Sequence, residues 1–405
     1  MSGFKRLWGQ QQVRIVILSG LVLASLALLV VILVYDTPID IVQVCRSDFK
    51  QYWCAARALP EKANPYDSRT CAACDLIGVW QDWGPVTTWN PPYTFIVVLP
   101  LAALPFDLAA MAWLATNALL VTTCGAVLWH LLAPSGDRRY WLGMLAAVAY
   151  MPTIRTILLG QISLWLLAGI TGFLLTVRAK RDYLAGAALT LLAIKPHISL
   201  IFLVGAAWWV LRERRWKIPL GGLATLAAAS AVVTMISPQV FVQYMNTITE
   251  PPLYWHTTTL GNWLRVVFGF ELSWLLFLPT VIGLILFVTW AMRRKGGWDW
   301  QQLAPGLLLA SIISAAYGWP HDQVTLLPVV VVLLARLRFL SRGQRALLMS
   351  LYVLTQLGML LLNQYGIDSP YYYWYPLVLA GLYAWQQLMI RLFPHQGANE
   401  APERG

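Results

Sequence analysis

The stretch that decides the fold runs from residue 183 to residue 211 and reads YLAGAALTLLAIKPHISLIFLVGAAWWVL. It is almost entirely apolar except around Lys195-Pro196-His197. A single membrane helix here would place the basic residues at its two flanks on opposite sides of the bilayer, against the rule that basic loops face the cytoplasm. Proline also interrupts a helix, because it lacks an N–H and its ring clashes with the preceding turn. We therefore predict two helices that meet at Lys195-Pro196-His197, each reaching about 20 Å.

The composition extends this conclusion to the whole chain. Of 405 residues, 59% are hydrophobic and 12% are charged, and the mean hydropathy is +0.61. These values exclude a soluble domain and indicate an all-α, polytopic membrane protein. Residues 15 to 35 carry no charge and follow Lys5, Arg6 and Arg14, so we predict a retained first span with residues 1 to 14 in the cytoplasm.

Basic clusters set the orientation of the other spans. Most of the 29 Lys and Arg fall into short groups. If every group lies in the cytoplasm, the chain must cross the membrane an even number of times between one group and the next. The predicted spans are 15 to 35, 107 to 132, 141 to 158, 161 to 177, 183 to 195, 197 to 211, 218 to 236, 272 to 292, 303 to 318, 323 to 337, 346 to 363 and 375 to 393. About twelve transmembrane helices thus form one integral membrane domain over residues 1 to 405, with residues 394 to 405 as a cytoplasmic tail.

In this topology the unusual residues gather on the outer side. The first outer loop, residues 36 to 106, is long, and we predict helices along the membrane surface over 48 to 59 and 92 to 104. On the first of these, Asp48 and Tyr52 share a face because they are one helical turn apart. Most histidines and several aromatic runs also lie in outer segments. This one-sided concentration predicts an active site on the outer face of the membrane.

The cysteines favour an oxidising compartment for the same loop. Cys45, Cys54, Cys71 and Cys74 all lie in it, and an oxidising compartment would join them as disulfides, with three possible pairings. The Cys71-x-x-Cys74 spacing has no second pair at zinc-ligand distance in the sequence. We therefore predict disulfides, and neither a metal site nor a cofactor.

Several short motifs occur in an order that resembles glycosyltransferase family 87. They are Asp48-Phe49, Tyr52, Ala55-Ala56, Asn64-Pro65-Tyr66-Asp67, Pro91-Pro92-Tyr93, Leu99-Pro100-Leu101, Leu104-Pro105, Gly160-Gln161, Ala185-Gly186, Lys195-Pro196, Arg214-Arg215-Trp216, His321-Asp322 and Leu326-Leu327-Pro328. The resemblance covers about residues 45 to 330. One departure is the turn between Leu59 and Tyr66, where Pro60-Glu61-Lys62-Ala63 stands in place of an expected glycine.

The resemblance implies a GT-C fold and transfer of a sugar, often mannose, from a polyprenyl phosphate, and the sequence does not choose between mannose and arabinose. The implied acceptor is a lipid-linked or glycan molecule, and the implied location is the periplasmic side of the bacterial cytoplasmic membrane. Membrane lipids are expected partners, and nucleic acid is not. The family's first-loop aspartate corresponds to Asp48.

The residues permit this chemistry. Transfer from a lipid phosphate needs a base for the acceptor hydroxyl and cations for the departing phosphate. Asp48 is the predicted base, with Lys195, Arg155 and His321 binding the donor phosphate. Tyr52, Gln161, His256 and Asp322 are the predicted substrate-binding residues. Each has a structural alternative, such as helix capping by Asp48 or snorkelling by Lys195.

Two other functions fit part of the sequence. A secondary transporter also has about twelve spans and charged residues at broken helices, although the halves of this chain show no internal repeat. A polymerase or ligase of lipid-linked glycans would share the donor class. A ligase is expected to have a long, basic outer loop in the second half, and the predicted outer loop of this chain there, residues 237 to 271, has only Arg265.

Overall fold

The computed structural model describes residues 48–67, 69–70, 88–249, 253–364 and 369–393. The first predicted span, residues 15 to 35, lies outside this part of the chain, as do Cys45, Cys71 and Cys74. The described residues form helices joined by short turns, without a strand. They divide into two compact units. Unit 1 consists of the described residues within 48–123, 153–195 and 214–255, and unit 2 of those within 124–152, 196–213 and 256–393.

The helices of the chain are numbered here in order. The α-helices are α1 (Asp48–Ala58), α2 (Phe95–Ala102), α3 (Phe106–Leu132), α4 (Tyr140–Ala149), α5 (Met151–Leu159), α6 (Ser163–Arg178), α7 (Asp182–Leu189), α8 (Leu200–Glu213), α9 (Lys217–Ile236), α10 (Val240–Ile248), α11 (Leu260–Phe268), α12 (Leu278–Arg293), α13 (Trp300–Ser314), α14 (Leu327–Ala335), α15 (Arg342–Gln364) and α16 (Trp374–Leu392). Turns of 3₁₀ helix occupy Pro92–Thr94, Thr190–Ile194, Pro196–Ser199, Ser273–Leu276, Pro320–Leu326, Leu337–Phe339 and Ser369–Tyr372.

Glycines bring two helices of unit 1 into close contact. A Cβ on Gly186 of α7 would overlap the Ile218 carbonyl of α9, and one on Gly221 of α9 would overlap the Tyr183 carbonyl of α7. Small residues of this kind let membrane helices approach and gain van der Waals contact. Next to the contact, Arg215 forms an ion pair with Asp182. The close packing of α7 and α9 requires the two glycines.

Unit 2 is organised around a buried helix. Most of α14, including Val329 to Val332, is buried, and a helix that is apolar on every side is expected to lie inside a bundle. Helices α13 and α16 both pack against it. On α16, Gln386 is fully buried and donates to the Leu333 carbonyl of α14 over 2.7 Å.

Four helices are long and apolar enough to cross a membrane. They are Phe106–Leu132, Lys217–Ile236, Ser273–Arg293 and Arg342–Asn363. Helices α4 and α5, separated by a bend, make a fifth if they form one broken span. The part of the chain that the structure describes is therefore all-helical, and its apolar helices indicate a membrane protein. The larger predicted number, about twelve, stays a prediction, because many of the other apolar helices are short.

The predicted break at Lys195-Pro196-His197 is confirmed. Helix α7 continues as the 3₁₀ turn Thr190–Ile194, and a second 3₁₀ turn begins at Pro196. Lys195 between them has φ −140° and ψ 72°, which is not helical. The two predicted helices are thus present, and each is shortened further by its 3₁₀ turn.

The predicted span over 141 to 158 is not one continuous helix, because it is bent into a pair of helices. The structure has α4 and α5 instead, with Tyr150 extended between them at φ −78° and ψ 117°. Pro152 explains the break, because in a continuous helix its ring would clash with the Val148 carbonyl. The Met151 N–H donates to Gln356 Oε1 over 3.1 Å in place of a helical bond.

The segment predicted as the first outer loop contains helices at both predicted places, as α1 and as Pro92–Thr94 followed by α2. Their position along the membrane surface stays a prediction. In the turn after α1, where the resemblance expects a glycine, Lys62 has φ +55°. That left-handed conformation favours glycine. Cys54 of α1 forms a disulfide, and its partner lies outside the described residues.

Candidate functional site

Asp48 and Tyr52 lie one turn apart on one face of helix α1. Asp48 lies in the first turn and is half-buried, and Tyr52 is buried one turn later. Phe49 is fully buried and stacks on Trp113 of α3, with ring centroids 5.0 Å apart. Since α1 is anchored by this stack, the direction of Asp48 and Tyr52 is fixed relative to α3.

A sharp turn after α5 presents Gln161. Gly160 has φ +67°, a conformation in which a side chain is strained, and the Gln161 N–H donates to the Thr156 carbonyl over 2.9 Å. The Trp113 indole donates to the Gly160 carbonyl over 2.9 Å. The same tryptophan therefore supports both α1 and the turn that carries Gln161.

Lys195 joins these residues from the helix break. Its Nζ donates to Gln161 Oε1 over 3.2 Å and to Ser163 Oγ over 3.3 Å. The Tyr52 hydroxyl donates to the same Gln161 oxygen over 2.9 Å. We call Tyr52, Gln161, Ser163 and Lys195 the Gln161 cluster. Gln161 thus contacts two other predicted site residues, Tyr52 and Lys195, that lie far from it in the sequence.

A neighbouring tyrosine holds the segment before Lys195. The Tyr93 hydroxyl donates to the Ala193 carbonyl over 2.8 Å. Burial raises the pKa of Tyr93 to about 12, so this hydroxyl keeps its proton at neutral pH. The 3₁₀ turn Pro92–Thr94 therefore holds the 3₁₀ turn Thr190–Ile194, which directly precedes Lys195.

The cluster holds a cation at low exposure. Lys195 is 8% exposed, and both of the acceptors described above are neutral oxygens. A buried ammonium is costly unless hydrogen bonds or an anion stabilise it. A buried ammonium attracts an anion such as a phosphate more strongly than an ammonium exposed to water does. The arrangement therefore suits binding of an anionic group next to the helix of Asp48.

Arg155, also in unit 1, lies on α5 and is half-buried. Arg155 precedes the Gly160-Gln161 turn by about one and a half helical turns, so α5 leads directly into the turn that carries Gln161. Its predicted role in phosphate binding stays a prediction.

Unit 2 uses its predicted residues differently. Asp322 Oδ2 accepts the Trp319 N–H over 2.9 Å and so caps the 3₁₀ turn Pro320–Leu326. Asp322 Oδ1 lies 3.8 Å from His321 Nε2, and both side chains are buried. His256 is exposed and stacks on Phe270, with ring centroids 4.6 Å apart. The acid of the His321-Asp322 pair therefore has a structural role within its own segment.

The residues that sequence reasoning missed are Ser163 and Trp113. Ser163 lies two positions after Gln161, and its proximity to the Gly160-Gln161 motif was the available signal. Trp113 gave none, because a tryptophan in an apolar span is usual. Within the described residues, no group of three or more His, Cys, Asp or Glu is arranged to hold a metal ion.

The Arg265 side chain bears on the ligase alternative. It is 3% exposed, and its Nε donates to the Phe270 carbonyl over 2.8 Å. Its guanidinium carbon lies 3.8 Å from the centre of the Phe270 ring. Since Arg265 is buried against Phe270, its charge does not form an exposed basic surface of the kind expected in a ligase.

Comparison with known proteins identifies the family. The family model of glycosyltransferase family 87 matches residues 88–363, about two thirds of the chain. The match includes Gln161, Ser163 and Lys195 and begins after α1. No curated protein and no solved structure matches the chain. The resemblance seen in the sequence motifs is confirmed, and the chain belongs to glycosyltransferase family 87.

Proposed function

We propose that the protein is an inverting glycosyltransferase that moves mannose from a polyprenyl-phosphate donor to a lipid-linked or glycan acceptor. Its proposed location is the bacterial cytoplasmic membrane, with the active site facing the periplasm. Family membership supports sugar transfer, and the apolar helices support a membrane-embedded substrate. The observation that carries the proposal is that Gln161 accepts hydrogen bonds from both Tyr52 and Lys195. Tyr52 lies on the face of α1 that also bears Asp48.

The proposed reaction is a single displacement. An acceptor hydroxyl oxygen attacks C1 of the sugar while its proton passes to the Asp48 carboxylate. The bond from C1 to the phosphate oxygen breaks, and the polyprenyl phosphate leaves with the electron pair. One displacement at C1 inverts the anomeric configuration.

Lys195 has the complementary role in this proposal. Negative charge grows on the phosphate as it leaves, and a fixed, buried ammonium stabilises that charge more in the transition state than in the ground state. Gln161 and Ser163 hold the ammonium in place, and Tyr52 holds Gln161. The sequence also predicts phosphate contacts at Arg155 and His321 and substrate contacts at His256 and Asp322. Of these, Asp322 is proposed here only as the cap of its own turn.

The test uses purified protein reconstituted in lipid vesicles. Polyprenyl-phosphate mannose and polyprenyl-phosphate arabinose are supplied in turn with a membrane glycolipid extract as acceptor. We expect a mannosylated product whose anomeric configuration, read by NMR, is opposite to that of the donor. Retention of configuration would contradict the single displacement. Solute uptake by the vesicles without any glycan product would favour the transporter instead.

A further inference from the structure

A basic turn joins α12 to α13 in unit 2. With the last residue of α12 it reads Arg293-Arg294-Lys295-Gly296-Gly297-Trp298-Asp299. The side chains of Arg293 and Lys295 are exposed, whereas that of Arg294 is half-buried. Arg212, near the end of α8, lies beside this turn, because its Nη1 donates to the Arg294 carbonyl over 3.2 Å. Four cations of unit 2 are thus brought together after α12.

The charge of this region is positive. Two exposed acids, Glu213 and Asp299, neighbour the four cations in the sequence. Asp299 Oδ1 accepts the Gln301 N–H over 2.9 Å and so caps the start of α13. Because the cations outnumber the acids, the region attracts an anion.

Tryptophan rings hold Arg294 in the turn. The guanidinium carbon of Arg294 lies 5.2 Å from the centre of the Trp290 ring, and its Nη2 donates to the Gly297 carbonyl over 3.0 Å. The Trp298 ring packs against the same Trp290 in an edge-to-face arrangement, with ring centroids 5.9 Å apart. Arg294 and Trp298 are therefore neighbours that share one ring as a support.

Each of these two neighbours has an N–H group that lacks an acceptor. The Arg294 Nε–H and the Trp298 indole N–H are shielded from solvent, and neither has a hydrogen-bond partner in the part of the chain that the structure describes. A buried donor without a partner costs free energy, and native structures satisfy nearly all such groups. Phosphate oxygens accept hydrogen bonds from both kinds of donor, most strongly from a guanidinium.

The turn lies at the end of a span, where a bilayer has its phosphate groups. Ser273–Arg293 is a candidate membrane span, and apolar residues of α12 before the turn face outward, with Met292 71% exposed. Basic and aromatic side chains at the end of a span belong at the interface between membrane and water. In the predicted orientation this end faces the cytoplasm, whose leaflet carries the anionic lipids.

We infer that Arg294 and Trp298 form a binding site for the phosphate group of an anionic phospholipid. Arg294 supplies a charge and its Nε–H, and Trp298 supplies the indole N–H. The exposed cations Arg212, Arg293 and Lys295 attract the head group to this site. A bound lipid satisfies both unpaired donors and ties the turn between α12 and α13 to the membrane. The inference does not depend on the proposed function.

The first test measures lipid binding directly, by native mass spectrometry of the purified protein in neutral detergent. Phosphatidylglycerol and phosphatidylcholine are offered in turn, the first also with an excess of inorganic phosphate. We expect phosphatidylglycerol to bind about tenfold more tightly, because choline neutralises the charge of the other head group. Equal affinity for the two lipids would overturn the inference. Displacement of phosphatidylglycerol by inorganic phosphate would assign the site to a free anion and overturn it as well.

Substitution of Arg294 separates a specific contact from general charge. Arg294→Gln should weaken phosphatidylglycerol binding about tenfold, since it removes a charged donor from the phosphate. Arg293→Gln is the matched control, because it removes the same charge from the adjacent, exposed position. This control should weaken binding by no more than about threefold. Equal losses in the two variants would show that only the summed charge attracts the lipid, against the inference.

A milder variant removes a single donor and keeps the fold. Trp298→Phe retains an aromatic ring against Trp290 but lacks the indole N–H, so phosphatidylglycerol binding should weaken about threefold. Trp274→Phe, at the other end of the same candidate span, replaces a tryptophan that is 60% exposed and should leave binding unchanged. Unchanged binding in Trp298→Phe would contradict the inference.

Photolabelling locates the lipid without any substitution. A phosphatidylglycerol with a diazirine in its head group is photolysed with the protein in vesicles, and the labelled peptides are mapped by mass spectrometry. We expect labels within residues 290–299 that an excess of unlabelled phosphatidylglycerol suppresses and an excess of phosphatidylcholine does not. Labels confined to other segments, or equal suppression by both lipids, would overturn the inference.

Discussion

In unit 1, buried polar side chains form hydrogen bonds with one another. In unit 2, the predicted site residue Asp322 instead accepts a hydrogen bond from the backbone of its own segment. Tyr52 and Lys195 both donate to Gln161, across 109 and 34 residues of sequence. Asp322 instead accepts the N–H of Trp319, three residues earlier. A long-range side-chain cluster positions groups for a ligand, and a local cap stabilises a turn. The predicted site residues of unit 1 and those of unit 2 are therefore expected to respond differently to substitution.

The largest effect is expected at Asp48. Asp48→Asn keeps the shape and the hydrogen-bonding capacity but removes the base, so kcat should fall about a hundredfold or more, with donor binding retained. Turnover and donor binding are measured in vesicles. Asp67→Asn is the control, because Asp67 is an acid of the same loop that pairs with Arg69. A near-normal kcat for Asp48→Asn would return Asp48 to a structural role and remove the difference between the two units.

Substitution of Lys195 should have the next largest effect. Lys195→Ala removes a charge that acts on the phosphate in both ground and transition states, so kcat/KM should fall about thirtyfold, with KM raised and kcat lowered. Steady-state kinetics at varied donor concentration separate the two parameters. Lys217→Ala, at an exposed lysine of unit 1, should change neither. A loss of thermal stability with normal kinetics would instead mean that Lys195 only supports the helix break.

Asp322 should affect stability and leave transfer nearly unchanged. Asp322→Ala removes the cap on the Trp319 N–H, which should lower the free energy of unfolding by about 1 kcal/mol. Asp322→Asn keeps an acceptor oxygen and should be close to wild type. The measurements are melting temperature and kcat/KM per folded molecule, which we expect to stay within about threefold. A large fall in kcat/KM for Asp322→Asn at normal stability would make Asp322 a substrate contact, as the sequence predicts.

The sequence predicts local features of this molecule better than contacts. The break at Pro196 and the helix that carries Asp48 and Tyr52 follow from proline chemistry and helical spacing. The break at Tyr150 follows from the same rule applied to Pro152, but the apolar run from 141 to 158 concealed it. Helices with 3₁₀ ends, such as the one before Lys195, are shorter than the apolar runs that contain them, so counting runs does not establish the number of spans.

The contacts of the candidate site could not be predicted in this way. Gln161 and Lys195 each belong to a motif that the sequence reveals. The sequence does not show, however, that Gln161 accepts hydrogen bonds from both Lys195 and the Tyr52 hydroxyl. That placement depends on the Trp113 stack with Phe49 and on its bond to the Gly160 carbonyl. Packing between distant segments determines it, and local propensity carries no information about such packing.

The smallest expected effect concerns one Asp-x-Arg pair in each unit, Asp67 with Arg69 and Asp137 with Arg139. The hydrogen bond from Arg139 lowers the pKa of Asp137 to about 2, and the one from Arg69 also lowers the pKa of Asp67. A depressed folded-state pKa adds stability above the unfolded pKa, near 4, and this stability is lost as pH falls toward 2.

Solvent screening makes the contribution of the Asp137 pair only about 0.5 kcal/mol. Arg139→Gln should therefore lower the melting temperature by about 1 °C at pH 6, and the difference from wild type should shrink at pH 3. Arg69→Gln should have no larger effect, because its side chain is 90% exposed. Thermal unfolding in detergent at both pH values is the measurement. A difference that grows as the pH falls would contradict the sign and show that the Asp137 carboxylate does not owe its stabilising contribution to Arg139.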